Sequence, residues 1–186
     1  MTLMIEREVK LRFGSADEAR AAILAAGAAP LRCRRLQEDA LLDTEDEQLR
    51  RRQCALRVRT ESGKSLLTFK GPLQPGTMKM REEHETVVGD GQVLRRVFEE
   101  LGMHVWFRYV KYREEFAAED VTIAVDETPV GTFVEIEGGE EGILAMTRAL
   151  GRTPDDFILS SYRTLFVNHR AEFGINGNDM VFNDEA

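Results

Sequence analysis

The chain has few of the residues that build disulfide frameworks or thiolate metal sites, and no apolar run long enough to cross a membrane. Its 186 residues include two cysteines, Cys33 and Cys54, which form no CxxC motif and have no histidine nearby. This usage argues against both kinds of cysteine chemistry and is typical of a reducing compartment. The longest apolar stretch, around residues 21–31, is shorter than the roughly 20 residues that a membrane-spanning helix needs. Glu6 and Arg7 precede any apolar segment, so we expect no signal peptide and a cytoplasmic protein with no membrane partner.

Histidine is also scarce, and an excess of basic charge is missing. His84, His104 and His169 are scattered, and none lies beside a serine or cysteine in a nucleophile pattern, so we expect structural or surface roles for all three. The 25 lysines and arginines are outnumbered by 33 aspartates and glutamates, which gives a formal net charge of −8. A general nucleic-acid binder normally has a basic surface, so nucleic acid is not an expected partner.

Length and composition favour a single globular domain. With 186 residues, of which 42% are hydrophobic and 31% charged, the chain is long enough for one core. No internal repeat or linker divides it. We expect one domain over residues 1–172 and an acidic, flexible tail over residues 173–186. No oligomerisation seam is visible, so a monomer and a homodimer both stay open.

The most informative segment is the strand-like run of residues 4–13. Side chains alternate between the two faces of a strand, so Glu6, Glu8 and Lys10 share one face, with Val9 and Leu11 on the other. An isolated strand of this kind is usually an edge strand whose charges lie in water. Recurrence of the pattern would indicate something more specific.

The pattern recurs in nearly every later strand segment. The matched positions hold only acids and bases, whereas a wet sheet face usually mixes in serine, threonine, asparagine and glutamine. The acids are Glu6, Glu8, Glu83, Glu85, Asp126, Glu135 and Glu137, and the bases are Lys10, Arg57, Arg59, Lys70, Arg81, Lys111 and Arg113. A random surface composition does not produce this selection.

Local signals predict eight strands and several helices. Ser15, followed three residues later by Glu18, predicts a helix that ends at Gly27, and apolar spacing predicts another over residues 92–101. Helices are also expected over residues 140–150 and 160–172, with a turn or short helix over residues 46–53. The strands are expected over residues 4–13, 31–44, 55–60, 65–70, 79–87, 106–116, 121–127 and 132–137.

Eight antiparallel strands can close into a barrel, which removes their exposed edges. If the charged faces point inward, a dry interior would be very unstable, because buried charge is costly and pairing offsets the cost only partly. The interior must therefore hold water and ions, and the outward apolar faces must pack against the helices. The expected fold class is α+β: a closed antiparallel eight-stranded β-barrel that forms a charged tunnel, packed outside by helices.

Such a lining has two chemical complements. Clustered carboxylates without histidine or cysteine favour a hard cation, Mg²⁺ or Mn²⁺. Clustered arginine and lysine favour phosphate oxygens. A polyphosphate that chelates a divalent metal satisfies both sets, whereas a monophosphate would not need so many bases. The residues alone therefore predict a metal–polyphosphate site inside a β-barrel.

The order of motifs over residues 4–170 resembles the CYTH superfamily, also called triphosphate tunnel metalloenzymes. The Glu6-x-Glu8-x-Lys10 start is similar to the ExExK signature of that family. The later matches, in order, are Leu42-Asp-Thr44, Leu56-Arg-Val-Arg59, Thr68-Phe-Lys-Gly71, Arg81-x-Glu83-x-Glu85, Lys111-x-Arg113, Val125-Asp126, residues 131–137 and Ser161-Tyr162. The superfamily includes class IV adenylyl cyclases, thiamine triphosphatases and inorganic triphosphatases.

The resemblance implies a role for each matched residue. Triphosphate oxygens are expected to bind Lys10, Arg57, Arg59, Lys70, Arg81, Lys111 and Arg113. Mg²⁺ or Mn²⁺ is expected to bind among Glu6, Glu8, Glu83, Glu85, Asp126, Glu135 and Glu137. The expected catalytic residues are Glu6, Glu8, Lys10 and Glu137.

Three functions fit this site: a triphosphate hydrolase, a class IV adenylyl cyclase, and a non-catalytic polyphosphate or nucleotide sensor. Hydrolysis is preferred because it needs no nucleoside pocket and the sequence identifies none. A sensor would not need so many carboxylates. The aromatic residues around Trp106 are interpreted as packing between barrel and helix. Tyr162 is expected either to reach the tunnel mouth or to anchor the last helix.

Overall fold

The computed structural model describes residues 5–182, so Met4 of the predicted first strand and residues 183–186 of the predicted tail lie outside the described residues. The eight strands are β1 Ile5–Phe13, β2 Ala29–Thr44, β3 Ala55–Glu61, β4 Lys64–Lys70, β5 Lys79–Val88, β6 Met103–Ala118, β7 Val121–Thr128 and β8 Gly131–Gly138. The five α-helices are α1 Ala16–Ala25, α2 Gln48–Arg51, α3 Gly91–Glu100, α4 Glu140–Ala149 and α5 Tyr162–His169, with a short 3₁₀ turn at Pro154–Asp156.

The strands form a closed barrel in the order β1-β5-β4-β3-β2-β6-β7-β8. Every neighbouring pair is antiparallel, and β1 closes the barrel because it pairs with both β5 and β8. Closure leaves neither edge of the sheet exposed. The predicted α+β class, with a closed eight-stranded antiparallel barrel and outer helices, is confirmed.

The contacts of Ser15 and Glu18 and the backbone conformation of Gly27 explain where α1 begins and ends. The Ser15 side chain caps α1 by accepting a hydrogen bond from the Glu18 amide at 3.1 Å. The Glu18 carboxylate accepts from the Gly14 amide at 3.0 Å, one residue earlier than a capping box requires. Gly27 ends the helix with a φ of +88°, a conformation that glycine adopts at low cost.

The main hydrophobic core lies outside the barrel. The outward side chains of β1, β7 and β8 are fully buried against Ile23 of α1 and against Ile143 and Met146 of α4. This agrees with the expected packing of the apolar strand faces against helices. Ile5 is an exception, since it is 51% exposed at the start of β1.

A second apolar cluster fills one end of the barrel. Phe107 and Tyr109 of β6 and Phe133 of β8 pack with Tyr162 and Phe166 of α5. These strand residues have the same inward parity as the charged residues that follow them, so α5 caps part of the interior. Phe107 and Tyr109 thus pack between barrel and helix, as expected, but from the inner face of the barrel.

Part of the predicted tail lies against β6. The Met180 amide donates to the Arg108 carbonyl at 3.0 Å, and the Met180 carbonyl accepts from the Val110 amide at 2.9 Å. Met180 is fully buried. β7 pairs with β6 only over residues 112–118 of β6. The backbone groups of Arg108 and Val110 lie outside that pairing, and Met180 supplies their hydrogen-bond partners. The domain boundary at residue 172 stays a prediction. Within residues 5–182, none of the helices is long and apolar enough to cross a membrane.

Candidate functional site

The barrel encloses a cavity of about 840 Å³ that is lined by charged side chains. Thirteen of the fourteen residues singled out from the sequence line it: Glu6, Glu8, Lys10, Arg57, Arg59, Lys70, Arg81, Glu83, Glu85, Lys111, Arg113, Glu135 and Glu137. The strand alternation therefore predicted which side chains converge. Their individual roles remain predictions.

Asp126, the fourteenth, does not line the cavity and is fully buried. Its carboxylate accepts hydrogen bonds from Lys111 Nζ at 2.8 Å, Arg113 Nε at 2.7 Å and the Tyr162 hydroxyl at 2.6 Å. Burial would raise the pKa of Asp126, but Arg113 and Lys111 outweigh it and hold that pKa below its usual value. These contacts fit a residue that positions two bases of the wall. They also show that Tyr162 both reaches the interior and anchors α5.

Glu8 is held by two lysines. Its carboxylate lies 3.0 Å from Lys10 Nζ and in direct contact with Lys79 Nζ. Burial opposes ionisation, but the two lysines hold the pKa of Glu8 far below its usual range. Sequence reasoning missed Lys79, although it stands two residues before Arg81 and so on the same strand face.

Glu6 and Glu83 share Lys70, whose Nζ lies 2.7 Å from each carboxylate. Burial, followed by the nearby Glu8 charge, raises the pKa of Glu6 to about 8. Burial and Glu8 likewise raise the pKa of Glu137. Burial opposes the ionisation of Glu83, but Lys70 and a hydrogen bond with Glu6 lower the pKa of Glu83. The uncompensated crowding therefore affects Glu6 and Glu137.

Lys10 lies almost fully buried between two acids. Its Nζ is 3.0 Å from Glu8 and 3.1 Å from Glu135, and Glu135 also contacts the guanidinium of Arg113. Lys111 faces Arg113 in the same wall, and burial followed by that like charge lowers the pKa of Lys111 to about 8. Acids and bases thus alternate around the interior.

A buried acid that the sequence did not single out orients two of the predicted phosphate-binding arginines. Asp39 is 2% exposed. Its two oxygens accept from Arg59 Nε at 2.9 Å and from the Arg59 terminal nitrogen at 3.2 Å. Arg57 Nε lies 3.4 Å from the same carboxylate. Asp39 stands opposite Arg59 in the β2–β3 register, which a single sequence does not specify.

Two predicted residues keep free polar groups in the cavity. Arg81 forms no ion pair with other described residues, and its Nε is buried without a hydrogen-bond partner there. Glu85 has a half-exposed carboxylate that accepts from the Thr68 hydroxyl at 2.8 Å and lies 3.6 Å from Arg57. Both groups are available to a ligand without breaking a strong internal pair.

The cavity also extends past the predicted charges. Trp106, Arg50 and Arg163 line this region, with the Arg50 guanidinium carbon 4.3 Å and that of Arg163 5.8 Å from the centre of the Trp106 ring. Arg163 Nε is buried without a hydrogen-bond partner among the described residues. Burial, with Arg170 and Arg50 nearby, lowers the pKa of Arg163. Trp106 is therefore part of the cavity wall as well as a packing residue.

Comparison with known proteins identifies relatives over most of the chain. A protein of Methanocaldococcus jannaschii, named as a candidate adenylate cyclase, is 28% identical over 173 residues, which cover 87% of this chain and 98% of the relative.

Solved structures show the same fold. A candidate adenylate cyclase of Vibrio parahaemolyticus superposes with a TM-score of 0.79 at 18% identity, over 89% of this chain and 99% of its own. A Hippeastrum protein, described as a candidate adenylyl cyclase with a dominant triphosphatase activity, superposes with a TM-score of 0.59 at 19% identity, over 88% of this chain and 95% of its own. The CYTH domain family model matches residues 4–146, and the chain belongs to that family.

Proposed function

We propose that this protein is a divalent-metal-dependent hydrolase of a small triphosphate: inorganic triphosphate, thiamine triphosphate or a nucleoside triphosphate. The observation that carries the proposal is the convergence of seven predicted phosphate-binding bases and six predicted metal-binding acids on one cavity of about 840 Å³. A monophosphate has too few oxygens to contact most of these bases. A chain of three phosphates offers enough oxygens to engage them.

The bases are proposed to bind the phosphate oxygens. Arg81 Nε can bind a phosphate oxygen without giving up an internal hydrogen bond, because it has no hydrogen-bond partner among the described residues. Arg57 and Arg59 are oriented by Asp39, and Lys111 and Arg113 by Asp126, so their positions are fixed before the substrate arrives. Prior orientation reduces the entropy cost of binding and directs positive charge at the phosphates as they react.

The metal is proposed to be Mg²⁺ or Mn²⁺, held among Glu6, Glu8, Glu83, Glu85, Glu135 and Glu137. No group of three or more His, Cys, Asp or Glu side chains within residues 5–182 is already arranged to hold a metal ion. Lys70 lies between Glu6 and Glu83 and binds both carboxylates. The carboxylates fit a hard cation in their donor chemistry, and the raised pKa values of Glu6 and Glu137 show crowding that a cation relieves.

Substrate binding would draw Lys70 from the two carboxylates toward a phosphate and free them for the cation. A cation held by these carboxylates would supply positive charge that neutralises the phosphates and would favour their alignment for in-line attack. Lys10 then stabilises charge that develops on the phosphate oxygens, and a carboxylate among Glu6, Glu8 and Glu137 holds the attacking water. No side chain needs to form a covalent intermediate. We assign Asp126 to positioning.

An adenylyl cyclase is the second candidate. The names of the Methanocaldococcus and Vibrio proteins favour it, and so does the region around Trp106, which leaves room beside the triphosphate for an organic group. Cyclisation would use the same wall, with the ribose 3′-hydroxyl attacking the α-phosphorus. The triphosphatase activity described for the Hippeastrum protein favours the hydrolase.

A product-resolved assay tests the proposal. The purified protein is incubated with tripolyphosphate, ATP or thiamine triphosphate, each with Mg²⁺, Mn²⁺ or EDTA. Orthophosphate released only with metal is the expected result. Cyclic AMP with pyrophosphate would replace the hydrolase with the cyclase, and tight binding without turnover of any substrate would indicate a sensor.

A further inference from the structure

One guanidinium in the cavity wall has no anion beside it. Arg163, in the first turn of α5, lines the cavity, and its Nε is buried without a hydrogen-bond partner among the described residues. Burial and the like charges of Arg170 and Arg50 lower its pKa, and no acid among those residues offsets them. An uncompensated charge of this kind attracts anions and hydrogen-bond acceptors and repels cations.

The Leu42-Asp-Thr44 motif fixes a second guanidinium in the same region. The Asp43 carboxylate is fully buried and accepts from the backbone amide and from Nε of Arg50, at 3.1 and 3.2 Å. These bonds hold the Arg50 guanidinium carbon 4.3 Å from the centre of the Trp106 ring. The acids that pair with Arg50 are Asp43 and Glu47, and neither lines the cavity. A ligand in the cavity therefore meets the bases of this region and not those acids.

The aromatic ring in this region is already occupied by positive charge. Aromatic faces are a common binding group for organic cations. The Trp106 ring, however, has the Arg50 guanidinium carbon 4.3 Å and that of Arg163 5.8 Å from its centre. A cationic ligand would have to displace one of these groups or lie beside both, and either arrangement costs free energy.

This region adjoins the proposed triphosphate site. Arg57, one of the proposed phosphate-binding residues, donates to the Tyr109 hydroxyl at 3.4 Å. The centre of the Tyr109 ring lies 5.9 Å from that of Phe107, and the Arg163 guanidinium carbon lies 5.2 Å from the centre of the Phe107 ring. Only two aromatic rings therefore separate Arg57 from Arg163, so a group attached to a triphosphate at Arg57 can reach Arg163.

We propose that Arg163 selects the group that the triphosphate carries: it binds the hydrogen-bond acceptors of an uncharged nucleobase and excludes the thiazolium cation of thiamine triphosphate. This inference rests on the proposed triphosphate site and narrows its substrates. Ring nitrogens and carbonyl oxygens of a nucleobase accept hydrogen bonds from arginine, so a base can satisfy the free Nε of Arg163. A thiazolium offers no negative charge to this guanidinium and adds a second positive charge beside it.

Isothermal titration calorimetry in EDTA, without metal-dependent turnover, tests the proposal. The dissociation constants of ATP and thiamine triphosphate are compared as a ratio, which cancels the triphosphate contacts that both ligands share. The wild type should bind ATP at least about tenfold more tightly. Arg163→Gln should reduce this preference at least about fivefold, and Arg163→Glu should reverse it. The matched control is Arg152→Gln, which removes an arginine stacked on Phe13 outside the cavity and should leave the ratio unchanged.

A wild type that binds thiamine triphosphate as tightly as ATP would overturn the proposal. A ratio that Arg163→Glu leaves unchanged, or that Arg152→Gln changes equally, would show that Arg163 does not select the group. Failure of both ligands to bind would also refute it. Thermal melting of each variant shows whether the fold is intact.

Tripolyphosphate, which carries no organic group, separates this inference from the proposed hydrolase activity. It is titrated in EDTA and assayed for orthophosphate release with Mg²⁺ or Mn²⁺. Turnover of tripolyphosphate with an unchanged ratio would refute only the role of Arg163. Binding of tripolyphosphate without turnover, together with the expected change in ratio, would refute only the hydrolase.

Discussion

The crowding of carboxylates in the barrel predicts an unusual pH dependence of stability. In metal-free protein, the unfolding free energy should fall as pH rises from about 5.5 to about 8.5, and Glu6→Gln should remove most of the fall. The Glu6 side chain is 9% exposed, and its pKa is raised to about 8 by burial and by Glu8. Between its unfolded and folded pKa values the native state binds the extra proton, so raising the pH favours the unfolded state.

The magnitude follows from the size of the pKa change. A pKa raised from the ordinary value of 4.5 to about 8 corresponds to about 5 kcal/mol of unfolding free energy lost by high pH. About 3 kcal/mol of that loss falls between pH 5.5 and 8.5, because the remainder is lost below this interval.

Urea unfolding in EDTA at a series of pH values measures the effect. Glu135→Gln is the matched control. Burial opposes ionisation of Glu135, but Lys10 and Arg113 outweigh it and hold its pKa well below the usual range. Glu135 is therefore ionised over the whole pH range from about 5.5 to about 8.5. Glu135→Gln should lower the unfolding free energy by the same amount at every pH in that range. Parallel curves for wild type and Glu6→Gln would show that Glu6 is already ionised at pH 5.5, which would refute the account of the acidic cluster.

Three further predictions concern single side chains. Asp39→Asn should lower the unfolding free energy by about 3 kcal/mol, because it leaves the buried guanidinium of Arg59 without its anion; urea unfolding that shows less than about 1 kcal/mol would make Asp39 a minor partner. Glu8→Gln and Glu137→Gln should abolish metal-dependent turnover while circular dichroism shows an intact fold, and near-full activity of either would remove that residue from the metal-binding set. Trp106→Leu should raise KM about tenfold for ATP, through lost stacking, and leave KM for tripolyphosphate unchanged; equal changes for the two substrates would show that Trp106 does not contact an organic group.

The inner face of the barrel was predictable because side-chain parity is a local property. Glu6, Glu8 and Lys10 share a face whatever they pair with, and the same reasoning placed Arg57 and Lys111 correctly. The pairing itself was not predictable. The anchoring of Arg59 by Asp39 depends on the register of β2 against β3, which depends on contacts between residues distant in sequence.

The aromatic end of the barrel shows a second limit. Phe107 and Tyr109 follow the same parity as Lys111, but the sequence predicted only that they pack between barrel and helix, without indicating from which face of the barrel. Only the position of α5 over that end gives an apolar residue a partner inside a charged barrel. The contact of Met180 with β6 was not predictable either. The part of β6 around Tyr109 is free to pair with Met180 because β7 pairs only with a later part of β6.

A crystal structure of the protein with Mn²⁺ and a non-hydrolysable triphosphate would show where the substrate and the metal bind. We expect the triphosphate inside the barrel, in contact with Arg81 and with Lys10 or Lys70, and an anomalous manganese peak beside Glu6 and Glu8 of β1. A triphosphate bound outside the barrel, or a barrel that holds phosphate but shows no manganese peak at its carboxylates, would contradict this expectation.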